Sequence, residues 1–229
     1  MTDMLDDPQV YLPDLFATHA RHYPTKNAVV CGKERRSWGA FVGNINRVAN
    51  ALIAQGVQKG DRVAILMGNS VEMLECVFGV VRAGGCVVPL SGLLTAEQLA
   101  HLLADCDAVG AIASAEFEDR LTALDSPDSA IRLRIAHGFA HEGWTSLAHV
   151  LKQQPDTMPD IRHALTDEFN IIYSSGTTGL PKGIVQTHRA RLHWAFSNAV
   201  EMGFQAGCRA LTTTALYSNG TWLMMLPAL

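Results

Sequence analysis

Apolar positions along this 229-residue chain change period several times, and each change marks an element. Leu12, Leu15, Phe16, His19 and Ala20 recur at helical spacing, which predicts an amphipathic first helix. Ala28 to Cys31 reads as a strand, Gly32-Lys33 as a turn and Arg35 to Trp38 as a returning strand. A helix follows from about Ala40 to Gln55 and stops at Gly56. Arg62 to Leu66 is a short apolar strand, after which Ser70 is placed to cap a helix whose Glu72 suits the positive end of the helix dipole. Val87 to Leu90 is a strand closed by Pro89, and Thr95 with Gln98 forms a capping box for the next helix. Ala108–Ala113, Ala130–Ile135 and Asn170–Tyr173 read as further strands. Apolar strands alternating with helices predict an α/β fold, a largely parallel sheet or sheets with helices on both faces. Patterning weakens from about Ser126 to Thr166, where Pro127, Pro155 and Pro159 fall, and a solvated connection is expected near Gln153 to Ala164.

Composition narrows the function classes. With 48% hydrophobic and 17% charged residues the chain is globular, not disordered. A net charge of −4 supplies no basic field, so nucleic acid is not an expected partner. The five cysteines are odd in number and lack a C-x-x-C pair; Cys31, Cys76 and Cys86 lie in apolar runs and read as reduced core thiols of a cytoplasmic protein. The start, with Asp3, Asp6 and Asp7, does not resemble a signal peptide, and no apolar stretch reaches the roughly 18 residues of a membrane span. Nine histidines show no H-E-x-x-H and no zinc-like spacing, so no metal ligand is assigned.

One segment carries distinct chemistry. Tyr173 to Gly183 reads Y-S-S-G-T-T-G-L-P-K-G. Its glycines at 176, 179 and 183 permit positive φ and close backbone approach, while Ser174, Ser175, Thr177 and Thr178 offer hydroxyls and Lys182 one positive charge. Such a loop suits a polyphosphate. It is not a Walker A loop, because Pro181 precedes the lysine and Gly183 follows it. The loop leaves the carboxyl end of a strand, where open α/β sheets place their ligand crevices. By itself the string also reads as a Gly/Ser/Thr turn between strand and helix. His188 is expected to orient the start of the following helix, and Arg189, Arg191 and His193 to form a solvated basic face.

The same string resembles the signature of the AMP-forming adenylating enzymes: acyl-CoA synthetases, luciferase-like ligases and peptide-synthetase adenylation domains. The resemblance is collinear, running through Leu12 to Gly56, G-V-Q-K-G-D-R-V-A-I-L at 56–66, V-V-R-A-G-G-C-V-V-P-L at 80–90, L-T-A-E-Q-L-A-H-L-L-A-D from 94 and L-T-T-T-A-L-Y-S-N-G-T at 211–221. It implies that Ser174, Ser175, Gly176, Thr177, Thr178, Gly179 and Lys182 hold ATP phosphates, and that Tyr217, Ser218, Asn219 and Gly220 line an acyl pocket. Two departures alter that pocket: Ser218 stands where members often have His, and Ala215 where many have Pro. Read alone, 216–220 is also a loop before a core helix. No acidic residue lies between Leu211 and Leu229 to pair with a buried ammonium, which disfavours amino acids and favours simple carboxylates.

The resemblance further implies ATP, magnesium and coenzyme A as cofactors, a small-molecule carboxylate as substrate, and fatty acid metabolism as a setting. The family's magnesium acid, ribose-binding Asp, hinge and adenylation lysine all lie downstream, so no catalytic residue is expected within residues 1–229. These residues read as the N-terminal portion of the AMP-binding domain, without its C-terminal part or the small C-terminal domain. The apolar end T-W-L-M-M-L-P-A-L predicts a tendency to self-associate. Three functions follow: a CoA-dependent acid–thiol ligase, an acyl-AMP ligase loading a carrier protein, or a non-catalytic module binding nucleotide or a partner.

Overall fold

A computed structural model describes residues 10–125, 130–174 and 181–229. Its centre is a seven-stranded sheet in the order β7-β6-β5-β3-β4-β8-β9, beside a separate β1-β2 hairpin. The strands are β1 (Asn27–Cys31), β2 (Glu34–Ser37), β3 (Arg62–Leu66), β4 (Cys86–Pro89), β5 (Ala108–Ser114), β6 (Leu133–His137), β7 (Thr145–Ser146), β8 (Glu168–Ser174) and β9 (Lys182–Thr187). Six are parallel, and β9 alone returns antiparallel along β8.

Helices cover both faces. α1 (Leu12–His22), α2 (Trp38–Ala54), α3 (Val71–Arg82), α6 (His188–Glu201) and α7 (Asn219–Ala228) contribute to one core; α4 (Ala96–Asp105) and a 3-10 segment (Ala115–Ala123) form the other. α5 (Leu147–Gln153) follows β7 and adds Leu147 to the first core. The period of two in a strand sorts side chains between the cores: Val63, Ile65 and Ile172 enter the first, Ala64, Leu66 and Ile171 the second. β4, covered on both sides, is buried at every residue, as its unbroken apolar run requires. Where α2 crosses α3, a Cβ at Gly79 would lie 2.4 Å from Val48 Cγ1, so only glycine allows that approach. Phe16 meets Phe78 edge-on at 4.8 Å nearby, an arrangement that adds about 0.5–1.5 kcal/mol beyond area burial.

The caps follow the sequence. Ser70 accepts from Met73 N–H, and Thr95 and Gln98 make the full capping box. Three expectations need correction. Ser37 caps α2 through Ala40 N–H, so Trp38 begins a helix instead of ending a strand. The strand expected at Ala130–Ile135 runs from Leu133 to His137. Cys31 is exposed, because the β1-β2 hairpin lies outside the main sheet; Cys76, Cys86 and Cys106 are the buried thiols. The solvated connection after α5 is mostly exposed but tied down: Asn46 and Asn50 donate to the carbonyls of Asp156, Pro155 and Thr157, and Arg47 pairs with Asp156 at 3.0 Å. Among the described residues no helix is long and apolar enough to cross a membrane.

Candidate functional site

β8 is buried from Phe169 to Ile172, in the sheet interior, and ends at Ser174, which is exposed. The chain returns in β9, with Ser174 registered opposite Lys182. The hydroxyl- and glycine-rich string is therefore the connection of an antiparallel hairpin, with α6 following only after β9. Ser175, Gly176, Thr177, Thr178 and Gly179 lie outside the described residues. The two described members, Ser174 and Lys182, stand together at its base, both exposed. Gly183 does not adopt positive φ. Its value is spatial: a Cβ there would lie 3.0 Å from Ile171 Cγ2 and 3.2 Å from the Tyr173 ring.

The second candidate segment is fastened at the same, carboxyl, end of the parallel strands. Asn69, just past β3, accepts from Leu216 N–H at 2.9 Å and donates to Thr214 O at 3.0 Å. Thr221 donates to Ala215 O and touches the Thr214 hydroxyl, and Trp222 Nε1 donates to Leu216 O at 2.7 Å. The first turn of α7 thus bonds back onto the segment before it. Tyr217, Ser218 and Asn219 are half-buried and Gly220 is exposed. Ser218 stands at the N-cap of α7 without a side-chain cap hydrogen bond.

One side chain joins the two segments. Arg191 on α6 donates through Nε to Asn170 Oδ1 at 2.7 Å and through Nη2 to Asn219 Oδ1 at 3.0 Å. Its guanidinium lies 4.5 Å from the Trp222 ring centroid and 5.3 Å from that of Trp194. Arg191 is 0% exposed, whereas Arg189 and His193 are exposed. This corrects the expected basic face. Residues two apart on a helix point in opposed directions, so the middle of the three turns inward. Burial pushes the Arg191 guanidinium down to about 9. His188 is buried too, between Phe169, Tyr11 and His163, and burial followed by the neighbouring His163 pushes it down to about 4. The cap of α6 is Thr187, which accepts from Ala190 N–H.

Asn170, Ile172 and Ser174 share one face of β8, that of α6 and α7. On the other face a cleft of about 200 Å³ is lined by Arg62, Asp105, Tyr173 and Val185. Tyr173 donates there to Asp105 at 2.5 Å, and burial with that hydrogen bond raises the phenol above its ordinary value. Ser174 lies on the opposite face of β8 from the Tyr173 ring that lines this cleft. Among the described residues no group of three or more His, Cys, Asp or Glu is placed to hold a metal ion.

The sequence does not mark Asn69 or Asn170 as site residues, and it marks Arg191 only as part of a solvated basic face. A polar residue inside the apolar run F-N-I-I-Y was the available signal for Asn170; nothing local marks Asn69.

A family model described as AMP-binding enzyme matches residues 16–229. A fatty acid–[acyl-carrier-protein] ligase, ScoC of Streptomyces coeruleorubidus, is 33% identical over 191 residues, covering 82% of this chain and 35% of that protein. A crotonobetaine/carnitine–CoA ligase of Escherichia coli (strain SE11) is 32% identical over 176 residues, 72% of this chain and 34% of that one. Among solved structures, the anthranilate CoA ligase AuaEII in complex with anthranoyl-AMP superposes with a TM-score of 0.78 at 25% identity, over 86% of this chain and 39% of its own. The chain spans about a third of the length of the curated relatives it matches.

Proposed function

The chain belongs to the AMP-binding enzyme family, and from that premise we propose that it is the leading part of the adenylating domain of an acid–thiol ligase. The parent protein activates a carboxylic acid with Mg·ATP, forming an acyl-adenylate and pyrophosphate, and passes the acyl group to a thiol. The observation that carries this reading is the hairpin that sets Ser174 and Lys182 side by side at the base of the hydroxyl-rich string. With Ser175, Gly176, Thr177, Thr178 and Gly179 completing it, the string holds the β and γ phosphates. Fixed donors and one cation stabilise charge developing on the departing pyrophosphate. Exposure of both described residues fits a polyanion arriving from solvent with its magnesium ion. Tyr217, Ser218, Asn219 and Gly220, which follow the Thr214–Leu216 stretch that Asn69 holds at the same end of the strands, line the acyl pocket.

Coenzyme A is the favoured acceptor, on the likeness to CoA ligases. A carrier protein is the second reading, on the likeness to an acyl-carrier-protein ligase. Both share the first half-reaction. Carboxylate-dependent ATP–pyrophosphate exchange by the parent protein tests it, with exchange expected and its absence across aliphatic and aryl acids overturning the ligase reading in favour of a binding module. Thioester formation with free coenzyme A then separates the two acceptors.

A further inference from the structure

Arg191 is a buried cation without an anion. Among the described residues no carboxylate pairs with it: its hydrogen-bond acceptors are two neutral amides, and its flat faces meet two indoles. Among the described residues Nη1 is buried with no hydrogen-bond partner. The segment it holds adds positive potential instead of removing it. Asn219 is the first residue of the ten-residue α7, and the Ser218 side chain does not cap that helix. The positive end of that helix dipole therefore meets the guanidinium at Asn219. Leu211 to Leu229 contains no acidic residue. An uncompensated buried charge is costly and is balanced when an anion arrives.

The position relative to the loop gives the ligand its shape. Asn170 and Ser174 lie on one face of β8, and four residues of strand span roughly 13 Å. A carboxylate reacting near Ser174 and a second group at Arg191 belong to one short molecule. The half-buried Trp194 and Asn219 form the only partly open side of the Arg191 environment among its hydrogen-bonding and ring neighbours, since Asn170 and Trp222 are buried.

We propose that Arg191, with the start of α7, receives a second anionic group of the substrate, so that the acid activated is a short dicarboxylate or a comparable acid with a distal anion. This rests on the adenylating reading above and assigns its substrate class. The distal anion displaces or shares Asn219 on Nη2 and occupies the free Nη1, while Asn170 keeps Nε in place.

The test compares succinate, glutarate and adipate with the monocarboxylates of equal chain length in pyrophosphate exchange by the parent protein. At least one dicarboxylate is expected to exceed its monocarboxylate in kcat/KM. Arg191→Gln should lower that ratio roughly tenfold to hundredfold, the value of one charge-assisted hydrogen bond. Arg191→Lys, which keeps the charge but cannot reach both asparagines in one plane, should restore part of it. A preference for monocarboxylates throughout, or a dicarboxylate preference untouched by Arg191→Gln in a folded protein, overturns the proposal. Absence of exchange with every acid would fail the ligase reading instead. In that event, glutarate titrated into the 229-residue chain decides the anion site through the fluorescence of Trp194 and Trp222. A saturable change that valerate does not produce and Arg191→Gln abolishes supports the site; no change sinks it.

Discussion

Two arginines are withdrawn from solvent on the same side of the sheet, and they are held in opposite ways. Arg82, the last residue of α3, pairs with Asp14 at 3.1 Å and also donates to Pro13 O and to Met158 Sδ. It ties α1 to α3, and its anion comes from the fold itself. Arg191 has, among the described residues, amides and indoles only. Burial lowers the proton affinity of both, and at Arg82 the Asp14 charge works against that. A cation serving architecture is neutralised where it sits. One left without an anion beside a candidate pocket is arranged for something that arrives.

The strongest way to break this contrast is to strip Arg82 of its carboxylate. Asp14→Asn should destabilise the chain by about 3 kcal/mol, the low end for breaking a buried pair because the Asp14 side chain is 50% exposed. Urea unfolding measures it, and an unchanged midpoint would remove the structural role given to Arg82.

A third cation, Lys182, sharpens the comparison from the solvent side. It is exposed and belongs to the proposed phosphate loop, so Lys182→Ala should cut kcat/KM for ATP in the parent roughly tenfold to hundredfold with no change in melting temperature. Thr178→Val should do less, since neighbouring hydroxyls and N–H groups compensate in part. Near-wild-type ATP use by the lysine variant would remove the phosphate assignment.

Acid should distinguish the two ends further. His188 stacks on His163 at 4.7 Å, and His163 is itself lowered by burial and by Arg82. His188 falls from an ordinary 6.5 to about 4, so the unfolded chain takes up that proton first. The stability it contributes is full above about pH 6.5 and is lost as pH falls towards 4, on the order of 2 kcal/mol by about pH 5. Glu75 opposes it in the same window. Burial outweighs its contacts with Asn44 and Arg36 and raises it to about 7, so its contribution is present below about pH 4.5 and lost as pH rises through 7. His188→Phe should therefore flatten the acid limb of a pH–stability profile, and Glu75→Gln the opposing one; an acid limb unchanged in His188→Phe would count against the histidine.

The smallest expected effect is on Arg191 itself. Arg191→Met should change stability by no more than about 1 kcal/mol, because relief of an unpaired buried charge offsets the lost hydrogen bonds to Asn170 and Asn219. A loss as large as that of Asp14→Asn would erase the distinction between the two arginines.

Much of this architecture was legible because it is local. Ser70 and the Thr95–Gln98 box announce their helices through side chains a few residues apart, and the unbroken run at β4 announces burial on both faces. The loop string stood out because its residue types are rarely combined in that order. What stayed hidden depends on partners far along the chain. K-G-I-V-Q-T becomes β9 only because β8 offers an open edge. Cys31 looked buried because its neighbours are apolar, but the hairpin carrying it lies off the main sheet. Arg191 looked solvated because charge was counted without helical phase, and its asparagine partners come from two distant elements.

The single parallel register pair between β4 and β8, Val87 opposite Asn170, carries a consequence for the order of assembly. β3, β4 and β5 are joined by short crossovers and can find one another early, whereas β8 must close a long excursion through β5, β6, β7 and α5 before it pairs. Non-local pairing of this kind slows folding, since closure entropy is spent before contacts reward it. We therefore expect refolding in two kinetic phases: a faster one from the β3–β5 nucleus, and a slower one in which β8, β9, α6 and α7 dock together. Trp194 and Trp222, on α6 and α7, would report the slower phase, so the Arg191 environment forms last and, in unfolding, opens first.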